Sequence, residues 1–270
     1  MSNSITKLKK IRVSKPILPV IAWLLISSCA KETRVSNDEI SQEVKNQIGE
    51  LGFSTDDIQK VDDGYLVEGD IVLPEASLSE KPASPKLRIA EVEQYNTFNL
   101  VTGGARTITV SSSGKVNASV SNAIDAAIAR YNNQNLTLSF QRVASGGDIN
   151  IRIVTGASFI GSSGFPSNGN PFPEIKLNKK FENNSPGFLT TVIAHEMGHC
   201  IGFRHTDYMN RTFSCGTGGN EGQETTGVGA VHIPGTPTGP DAASWMLACL
   251  SSTTDRPFNA NDIIALNFLY

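Results

Sequence analysis

The chain has 270 residues, of which 39% are hydrophobic, and its 24 glycines favour a loop-rich protein. This length accommodates one large domain, or a medium domain with a small one, and no fixed period indicates a repeat protein. The charge is divided unevenly, because residues 29–97 hold seven bases and fifteen acids whereas residues 98–270 hold eleven of each. An acidic mature protein argues against nucleic acid as a partner, and the uneven division predicts that residues 29–97 form a separate unit.

Residues 1–28 have the pattern of a signal peptide. Five bases and no acid in residues 1–16 precede an apolar run, Ile17 to Ile26, that is too short to span a bilayer. Ile26-Ser-Ser-Cys29 resembles a bacterial lipobox, which implies cleavage before Cys29 and lipid attachment to its sulfur. A plain secretory signal with a chance cysteine is the alternative. We therefore expect an exported bacterial lipoprotein on the membrane or cell surface, held through the lipid anchor only.

The acidic unit, residues 37–97, follows a tether at residues 29–36. Apolar residues recur on one face of a helix predicted from Asp38 to Leu51, with Asn37 or Asp38 as its cap and Gly52 as its stop. After a turn at residues 62–64, residues 65–73 are predicted as one extended segment. Residues 74–88 contain three prolines and are predicted as a linker.

Residues 98–270 predict a larger domain of α+β class. Its strands are expected near residues 106–110, 136–143, 148–154, 158–163 and 174–178, and its helices at residues 120–132, 185–201 and 262–270. Ser185-Pro186 at the start of the second helix supplies a cap and a first-turn proline. This order predicts an α/β-type upper subdomain, a loop-rich lower subdomain around residues 206–241 and a closing C-terminal helix.

A metal site is predicted where residues 195–205 read His-Glu-Met-Gly-His-Cys-Ile-Gly-Phe-Arg-His. His195 and His199, four apart on a helix, face one way and suit zinc. Gly202 permits the left-handed turn that ends the helix, so that His205 can return as a third ligand. Three protein ligands leave one coordination position open, which is typical of a catalytic site, and Glu196 is placed to accept a proton from a zinc-activated water.

Two other interpretations of this motif, chance surface histidines and a purely structural zinc site, fit the sequence less well than a catalytic site does. Three of only four histidines in the chain occupy the ligand positions, which argues against chance surface histidines. A relative that binds zinc only structurally would have no need of Glu196.

The motif from His195 to Asp207, with Asp148-Ile-Asn-Ile and Ser244-Trp-Met246, resembles the bacterial dual-action HEIGH metallopeptidases, which are related to the astacins. The resemblance covers about residues 98–270. It implies a metzincin-like zincin: a twisted, mostly parallel five-stranded sheet, two long helices, and a cleft whose edge strand pairs with an extended substrate. Residues 158–164 are the candidate edge. The resemblance also implies that Met246 forms the methionine turn and packs beneath the zinc, and an ordinary core methionine is the alternative.

The chain departs from the astacin pattern at two places. Astacins have glutamate after the third histidine, where this chain has Thr206 and then Asp207, and they have a tyrosine at the position of Ala248. A tyrosine ligand at that place is therefore in doubt. Tyr208 is a weak substitute that we expect to pack instead, and His232 is expected to be a wall residue.

Residues 67–70 read Val-Glu-Gly-Asp, similar to a motif of astacin prosegments whose aspartate ligates zinc and displaces water. The resemblance implies that Asp70 acts as such a latch, with Gly69 permitting close backbone approach. The alternative is a small accessory domain in which Asp70 is simply exposed. Activation would then need cleavage within about residues 80–105, with Lys81, Lys86, Arg88 and Arg106 as candidate sites.

The cysteines agree with export. If Cys29 carries lipid, Cys200, Cys215 and Cys249 remain, so at least one thiol is unpaired. We favour a Cys215–Cys249 disulfide because both lie on loops around the site, although no argument from sequence excludes Cys200 as a partner of either.

The sequence thus predicts a zinc metalloendopeptidase of EC 3.4.24 class that acts on proteins or peptides and is made as a latent, monomeric lipoprotein zymogen. A catalytically silent, zinc-containing surface binding module is the first alternative. A zinc enzyme acting on a non-peptide bond is the second.

Overall fold

The computed structural model describes residues 40–79, 94–221, 229–237 and 239–270. These residues belong to one compact unit, Glu32–Tyr270, while a second unit, Met1–Lys31, lies outside the described residues. The predicted signal peptide, Cys29 and the whole tether therefore lie outside the described residues. Among the described helices, none has the length and apolarity needed to cross a membrane.

The first described element is helix α1, Gln42–Glu50. The predicted caps Asn37 and Asp38 lie outside the described residues, and the helix begins later than predicted because the Ser41 hydroxyl accepts the Val44 N–H. The predicted stop is confirmed, since Gly52 follows the last turn with φ 89°.

A small antiparallel sheet follows α1. It consists of β1 (Gln59–Val61), β2 (Gly64–Val67) and β3 (Ile71–Pro74), in the order β1-β2-β3. The prediction of one extended segment over residues 65–73 was wrong, because Glu68 and Gly69 take φ 54° and 91° and turn the chain back. A short 3-10 helix, Glu75–Ser79, occupies the start of the predicted linker, and residues 80–93 lie outside the described part.

The main sheet has five strands, as predicted. Its strands lie in the order β6-β5-β7-β9-β8 and follow the short strand β4 (Tyr95–Asn96) along the chain. Their bounds are β5 (Arg106–Ser113), β6 (Leu138–Arg142), β7 (Ile149–Val154), β8 (Gly161–Ser162) and β9 (Glu174–Asn178). All pairs are parallel except β8 with β9, so the antiparallel strand lies at one edge.

Two long helices, α2 (Ala118–Asn132) and α3 (Pro186–Ile201), pack against each other. Asn117 caps α2 and Ser185 caps α3, each through a side-chain oxygen that accepts a backbone N–H of the first turn. The helices share a hydrophobic core with the sheet, and the Tyr131 hydroxyl donates to the carbonyl of Ala194 at 2.7 Å. This core places α3 beneath the antiparallel edge.

The chain after α3 is mostly irregular, as predicted. It contains the short helix α4 (Thr212–Cys215), the strand β10 (Val231–His232) and the closing helix α5 (Ala260–Leu269). Strand β10 pairs antiparallel with β4. Cys215 and Cys249 form a disulfide, whereas Cys200 is a buried free thiol on α3. The architecture is the predicted α+β fold, with a helix-backed sheet above and a loop-rich part below.

Candidate metal centre

Helix α3 carries His195, Glu196 and His199, all buried. The helix ends at Gly202, whose φ of 112° is in the left-handed region, and the Gly202 N–H bonds back to the His199 carbonyl. A side chain at Gly202 would also lie 2.7 Å from the carbonyl oxygen of Asn99. Both the positive φ and the lack of space for a Cβ atom therefore require glycine at this position. The resulting turn returns His205 to the α3 face.

Each of the three imidazoles is oriented through its Nδ1 atom. The Nδ1 of His195 lies 2.9 Å from the Trp245 carbonyl, and that of His199 lies 2.8 Å from the Phe203 carbonyl. Because a carbonyl can only accept, Nδ1 carries the proton in both rings and Nε2 keeps its lone pair. The Nδ1 of His205 instead faces the carboxylate of Glu221, at 2.9 and 3.0 Å from its two oxygens.

The three Nε2 atoms converge on one point together with a carboxylate. The Nε2 atoms of His199 and His205 are 3.2 Å apart. Asp70 Oδ2 lies 3.1 Å from the Nε2 of His205 and 3.4 Å from that of His195. One ligand atom from each of these four residues lies within 4.8 Å of all the others, so the set could hold a metal ion.

The residues present fit a zinc ion. Three imidazole nitrogens and one carboxylate oxygen are zinc's usual ligand types. Within the described residues, the buried atoms His195 Nε2 and Asp70 Oδ1 have no hydrogen-bond partner. Buried polar atoms are normally satisfied, so unpaired atoms at this convergence are those that a cation would engage.

The charges around the centre also suit a cation. Burial opposes ionisation of Asp70, but the neighbouring histidines, His205 first, hold the pKa of that carboxyl well below its usual range. Burial would lower the pKa of His205, yet the carboxylates of Asp70 and Glu221 outweigh it and raise that pKa well above the ordinary value. Burial and the two other imidazoles lower the pKa of His199. The carboxylates of Asp70 and Glu221 thus favour a positive charge beside His205, and burial favours the uncharged form of His199.

Glu196 lies beside this centre, under the edge strand. Its Oε2 accepts a hydrogen bond of 2.7 Å from the Ser163 hydroxyl, just after β8. A Cβ atom at Gly161 would lie 2.5 Å from Oε1 of Glu196, so only glycine leaves room for the carboxylate there. Burial and then the charge of Asp70 raise the pKa of Glu196 well above its ordinary value.

The segment Ser244-Trp245-Met246 forms a turn below α3. Met246 is fully buried, and a Cβ atom at Gly198 would lie 2.6 Å from its sulfur, which explains glycine at this helix position. Trp245 supplies the carbonyl that orients His195. Asp262 of α5 holds this segment in place, because its Oδ2 accepts the Trp245 N–H at 3.3 Å.

The β2–β3 turn, Glu68-Gly69-Asp70, places Asp70 in the centre and pairs with the edge of the main sheet. The Ser163 N–H donates to the Asp70 carbonyl at 3.0 Å, and the Val72 N–H donates to the Ser163 carbonyl at 2.6 Å. Glu68 forms an ion pair of 2.9 Å with Arg204, and both side chains are 0% exposed. Arg211 also donates to the Glu68 carbonyl.

A cavity of about 220 Å³ opens beside His195 and Glu196. Its walls are largely apolar and include Phe159, Ile160, Val192, Leu247 and Leu250. The cavity lies in the same cleft as the metal centre, so it is suited to receive a side chain of a molecule bound across that centre.

The remaining predicted positions lie outside the centre. Tyr208 is buried and packs edge-on against Tyr95 with ring centroids 4.4 Å apart, as expected for a packing residue. His232 lies 3.0 Å from the Thr236 hydroxyl. At the positions that depart from the astacin pattern, Asp207 accepts the Ala248 N–H at 2.9 Å, which ties the loop after His205 to the chain after Met246.

A family model described as dual-action HEIGH metallo-peptidase matches residues 65–270. The chain belongs to this family. The match begins at residue 65 rather than near residue 98, so it also includes the β2–β3 hairpin that carries Asp70. Comparison with curated proteins gives no significant match.

The solved structures that are similar to this metallopeptidase have low sequence identity to it. A structure of myroilysin is 16% identical with a TM-score of 0.45, covering 64% of this chain and 96% of the other. A second, a crystal structure of myroilysin, is 15% identical with a TM-score of 0.40, covering 72% and 95%. The hatching enzyme zinc-protease HCE-1 from Oryzias latipes (medaka fish) is 14% identical with a TM-score of 0.41, covering 69% and 98%.

Family membership makes this metallopeptidase a zinc protease whose substrates are proteins or peptides. Sequence reasoning placed Gly161 and Ser163 within the candidate edge but missed their relation to Glu196, and it gave no role to Arg204, Glu221 or Asp262. A weak signal existed for Asp262, because Asn259 and Asp262 have capping-box spacing at the start of α5. Nothing in the sequence of the irregular stretch around Glu221 distinguishes this buried glutamate from an exposed one.

Proposed function

We propose that this metallopeptidase is a zinc endopeptidase, made as a lipid-anchored zymogen, in which Glu196 is the general base and Asp70 the latch. The observation that carries the proposal is the position of Asp70 Oδ2, within 3.4 Å of two convergent imidazole nitrogens and in the same cleft as Glu196. One residue from the N-terminal hairpin thus occupies the place where a substrate would have to react.

His195, His199 and His205 would hold the zinc through their Nε2 atoms. When bound, zinc supplies a Lewis acid that polarises a carbonyl and lowers the pKa of water. Two backbone carbonyls and one carboxylate fix the rings through their Nδ1 atoms, at 2.8 to 2.9 Å. The three ligands are therefore positioned before any substrate arrives, which reduces the reorganisation needed for catalysis.

Glu196 would move the proton. Ser163 occupies its Oε2, so we assign proton transfer to Oε1. Glu196 takes a proton from the attacking water as the new C–O bond forms, and it returns a proton to the leaving amine as the C–N bond breaks. General-base action of this kind contributes about 10²-fold to 10⁴-fold to the rate.

The cleft favours an endopeptidase. Ser163 offers its backbone N–H and C=O at the sheet edge, where Asp70 accepts from the N–H and Val72 of β3 donates to the C=O. An extended substrate that took the place of β3 would use the same hydrogen bonds, and the apolar cavity beside Glu196 would receive one of its side chains. An open edge on which a chain can continue in both directions suits cleavage inside a polypeptide.

Latency would follow from three contacts of the β2–β3 hairpin, two made by its turn and one by strand β3. Asp70 fills the open ligand position, Glu68 forms a fully buried ion pair with Arg204, and β3 covers the sheet edge. Gly69 is required, because its φ is 91° and a Cβ atom would lie 3.2 Å from the Arg211 guanidinium. Glu68 adopts φ 54°, a costly conformation for a non-glycine residue that the Arg204 pair offsets.

Release would need proteolysis between this turn and the catalytic part. Of the predicted cleavage sites, Lys81, Lys86 and Arg88 lie outside the described residues. Arg106 is the first residue of β5, where its N–H donates to the Thr137 carbonyl at 3.0 Å, so cleavage there would damage the sheet. We therefore place activation upstream of Arg106.

Export of the protein and lipidation of Cys29 are part of this proposal and rest on the sequence pattern of residues 1–29. We propose a monomer attached to the membrane by lipid alone, whose catalytic part leaves the surface after cleavage. Metabolic labelling with a fatty acid should mark the parent and not Cys29→Ala, which should fractionate as a free protein. Membrane attachment of the unlabelled variant would contradict the anchor.

A peptide-library digest tests the activity. The full chain should cleave little before processing, Asp70→Ala should cleave without processing, and a chelator should abolish cleavage. Asp62→Ala removes an exposed carboxylate from the same small sheet and should stay as latent as the parent. If Asp70→Ala stayed silent while processed enzyme was active, the latch would be wrong.

The same assay tests whether Glu196 is the general base. Glu196→Gln in the Asp70→Ala chain should bind zinc fully and lose cleavage by about 10²-fold or more. Cleavage that survived this change at full zinc occupancy would overturn the role of Glu196. Zinc binding with no cleavage by any form would favour a silent binding module instead.

A further inference from the structure

The ligand His205 differs from the other two in what holds it. His195 and His199 donate from Nδ1 to neutral backbone carbonyls. His205 donates to the carboxylate of Glu221, whose two oxygens both lie within 3.0 Å of Nδ1. A charged acceptor makes a stronger hydrogen bond than a neutral one, so His205 has the firmest support of the three.

Glu221 is itself firmly fixed, although it lies in an irregular stretch. It is 0% exposed, and its carboxylate forms an ion pair of 3.0 Å with Arg211. Its N–H donates to the Tyr208 carbonyl at 2.6 Å, and its carbonyl accepts the Ser54 N–H at 2.7 Å. A buried carboxylate with this many contacts has little freedom to leave His205.

Burying this charge has a cost that packing alone does not explain. An ionised carboxylate loses several kcal/mol of hydration on burial unless it is paired. An apolar residue at position 221 would avoid that cost, and the nearest basic partner, Arg211, is 20% exposed and accessible to water. The contact that needs a buried carboxylate at this place is the one with His205 Nδ1.

We propose that Glu221 is a positioning residue for the metal centre, which holds His205 with Nδ1 protonated and Nε2 directed at the ion. Carboxylate partners of this kind fix the ring orientation and make the ligand a better electron donor. The inference rests on the proposed metal centre, but it concerns metal affinity rather than proton transfer. It adds a side chain 16 residues beyond His205, which does not itself ligate the ion, to those on which zinc binding depends.

The test measures zinc itself, on the full chain, by competition with a chromogenic chelator. Glu221→Ala should weaken zinc affinity by about 10-fold to 100-fold. Glu221→Gln should weaken it less, because an amide oxygen still accepts from Nδ1 but carries no charge. Glu174→Gln is the matched control, since it removes a half-buried carboxylate of β9 and its ion pair with Arg152 of β7, away from the metal.

Unfolding of the metal-free proteins separates positioning from a merely structural role. We expect Tm of apo Glu221→Gln to stay near that of the apo parent while Tm of the zinc-loaded form falls. An unchanged zinc affinity in both variants, or an equal loss of Tm with and without zinc, would overturn the assignment. A parent chain that bound no zinc would overturn the metal centre as a whole, which is a different failure.

Discussion

The hydroxyl of Ser163 joins the edge of the main sheet to Glu196, with its Oγ 2.7 Å from Oε2 of the carboxylate and 3.1 Å from the Glu196 backbone carbonyl. The same residue binds Asp70 and Val72 through its backbone. Ser163 therefore contacts the proposed base with its side chain and whatever occupies the sheet edge with its main chain.

Ser163→Ala should lower kcat and leave KM nearly unchanged. The variant removes a hydrogen bond to a charged group, which is worth about 1.5–3 kcal/mol, so kcat should fall by roughly 10-fold to 100-fold. The measurement is steady-state cleavage of one peptide by the activated enzyme. Ser162→Ala is the matched control, because that hydroxyl is equally buried and has no hydrogen-bond partner within the described residues. Equal rates for both variants would exclude a role for Ser163.

Gly161→Ala should also impair catalysis, for a steric reason. The new Cβ atom would lie 2.5 Å from Oε1 and 3.0 Å from Cδ of Glu196, so the carboxylate must move. We expect kcat to fall by about 10-fold or more, a part of the general-base contribution, with zinc content unchanged. Gly219→Ala should be silent, since no atom lies within 4 Å of its added Cβ. A fully active Gly161→Ala enzyme would contradict this packing.

Loss of the disulfide should loosen the lower part of the cleft. Cys215 and Cys249 close a loop across a sequence separation of 34 residues. Replacing both by serine should lower the free energy of unfolding by about 2–4 kcal/mol, seen as an earlier urea transition. A reducing agent should shift the parent to the same midpoint and leave the double variant unchanged. Insensitivity of the parent to reduction would argue against the bond.

Asp262 predicts a pH dependence of stability. Burial raises the pKa of its carboxyl to about 7, so the folded protein keeps a proton that the unfolded chain loses at about pH 4. The folded state binds more protons between these values, and its stability therefore falls as the pH rises from about 4 to 7. Asp262→Asn should make this fall shallower, by up to about 1.4 kcal/mol per pH unit. Urea unfolding at several pH values measures it.

The control for this prediction is Asp125→Asn, which removes an exposed carboxylate of α2. It should leave the slope of stability against pH as in the parent. An identical slope for the parent and Asp262→Asn would mean that the Asp262 carboxyl is ionised in the folded protein. The hydrogen bonds that it accepts from Asn259 and Trp245 would then outweigh its burial.

The sequence by itself determined the parts of the site that are local in the chain. The helix period places His195, Glu196 and His199 together, and Gly202 permits the turn that returns His205, because both effects act within a few residues. The strands of the main sheet and its two long helices followed from period and capping in the same way. The resemblance of residues 67–70 to a prosegment motif pointed to Asp70, but it could not reveal that residues 65–73 turn back on themselves.

Only the tertiary structure decided which distant residues support that local motif. Ser163 reaches Glu196 from 33 residues away, Trp245 reaches His195 from 50 residues away, and Glu221 reaches His205 from an irregular loop. No periodicity encodes such contacts, because they depend on how the sheet edge and the loops pack around α3. The choice of Cys249 over Cys200 as the partner of Cys215 has the same origin, since burial inside α3 removes Cys200 from reach.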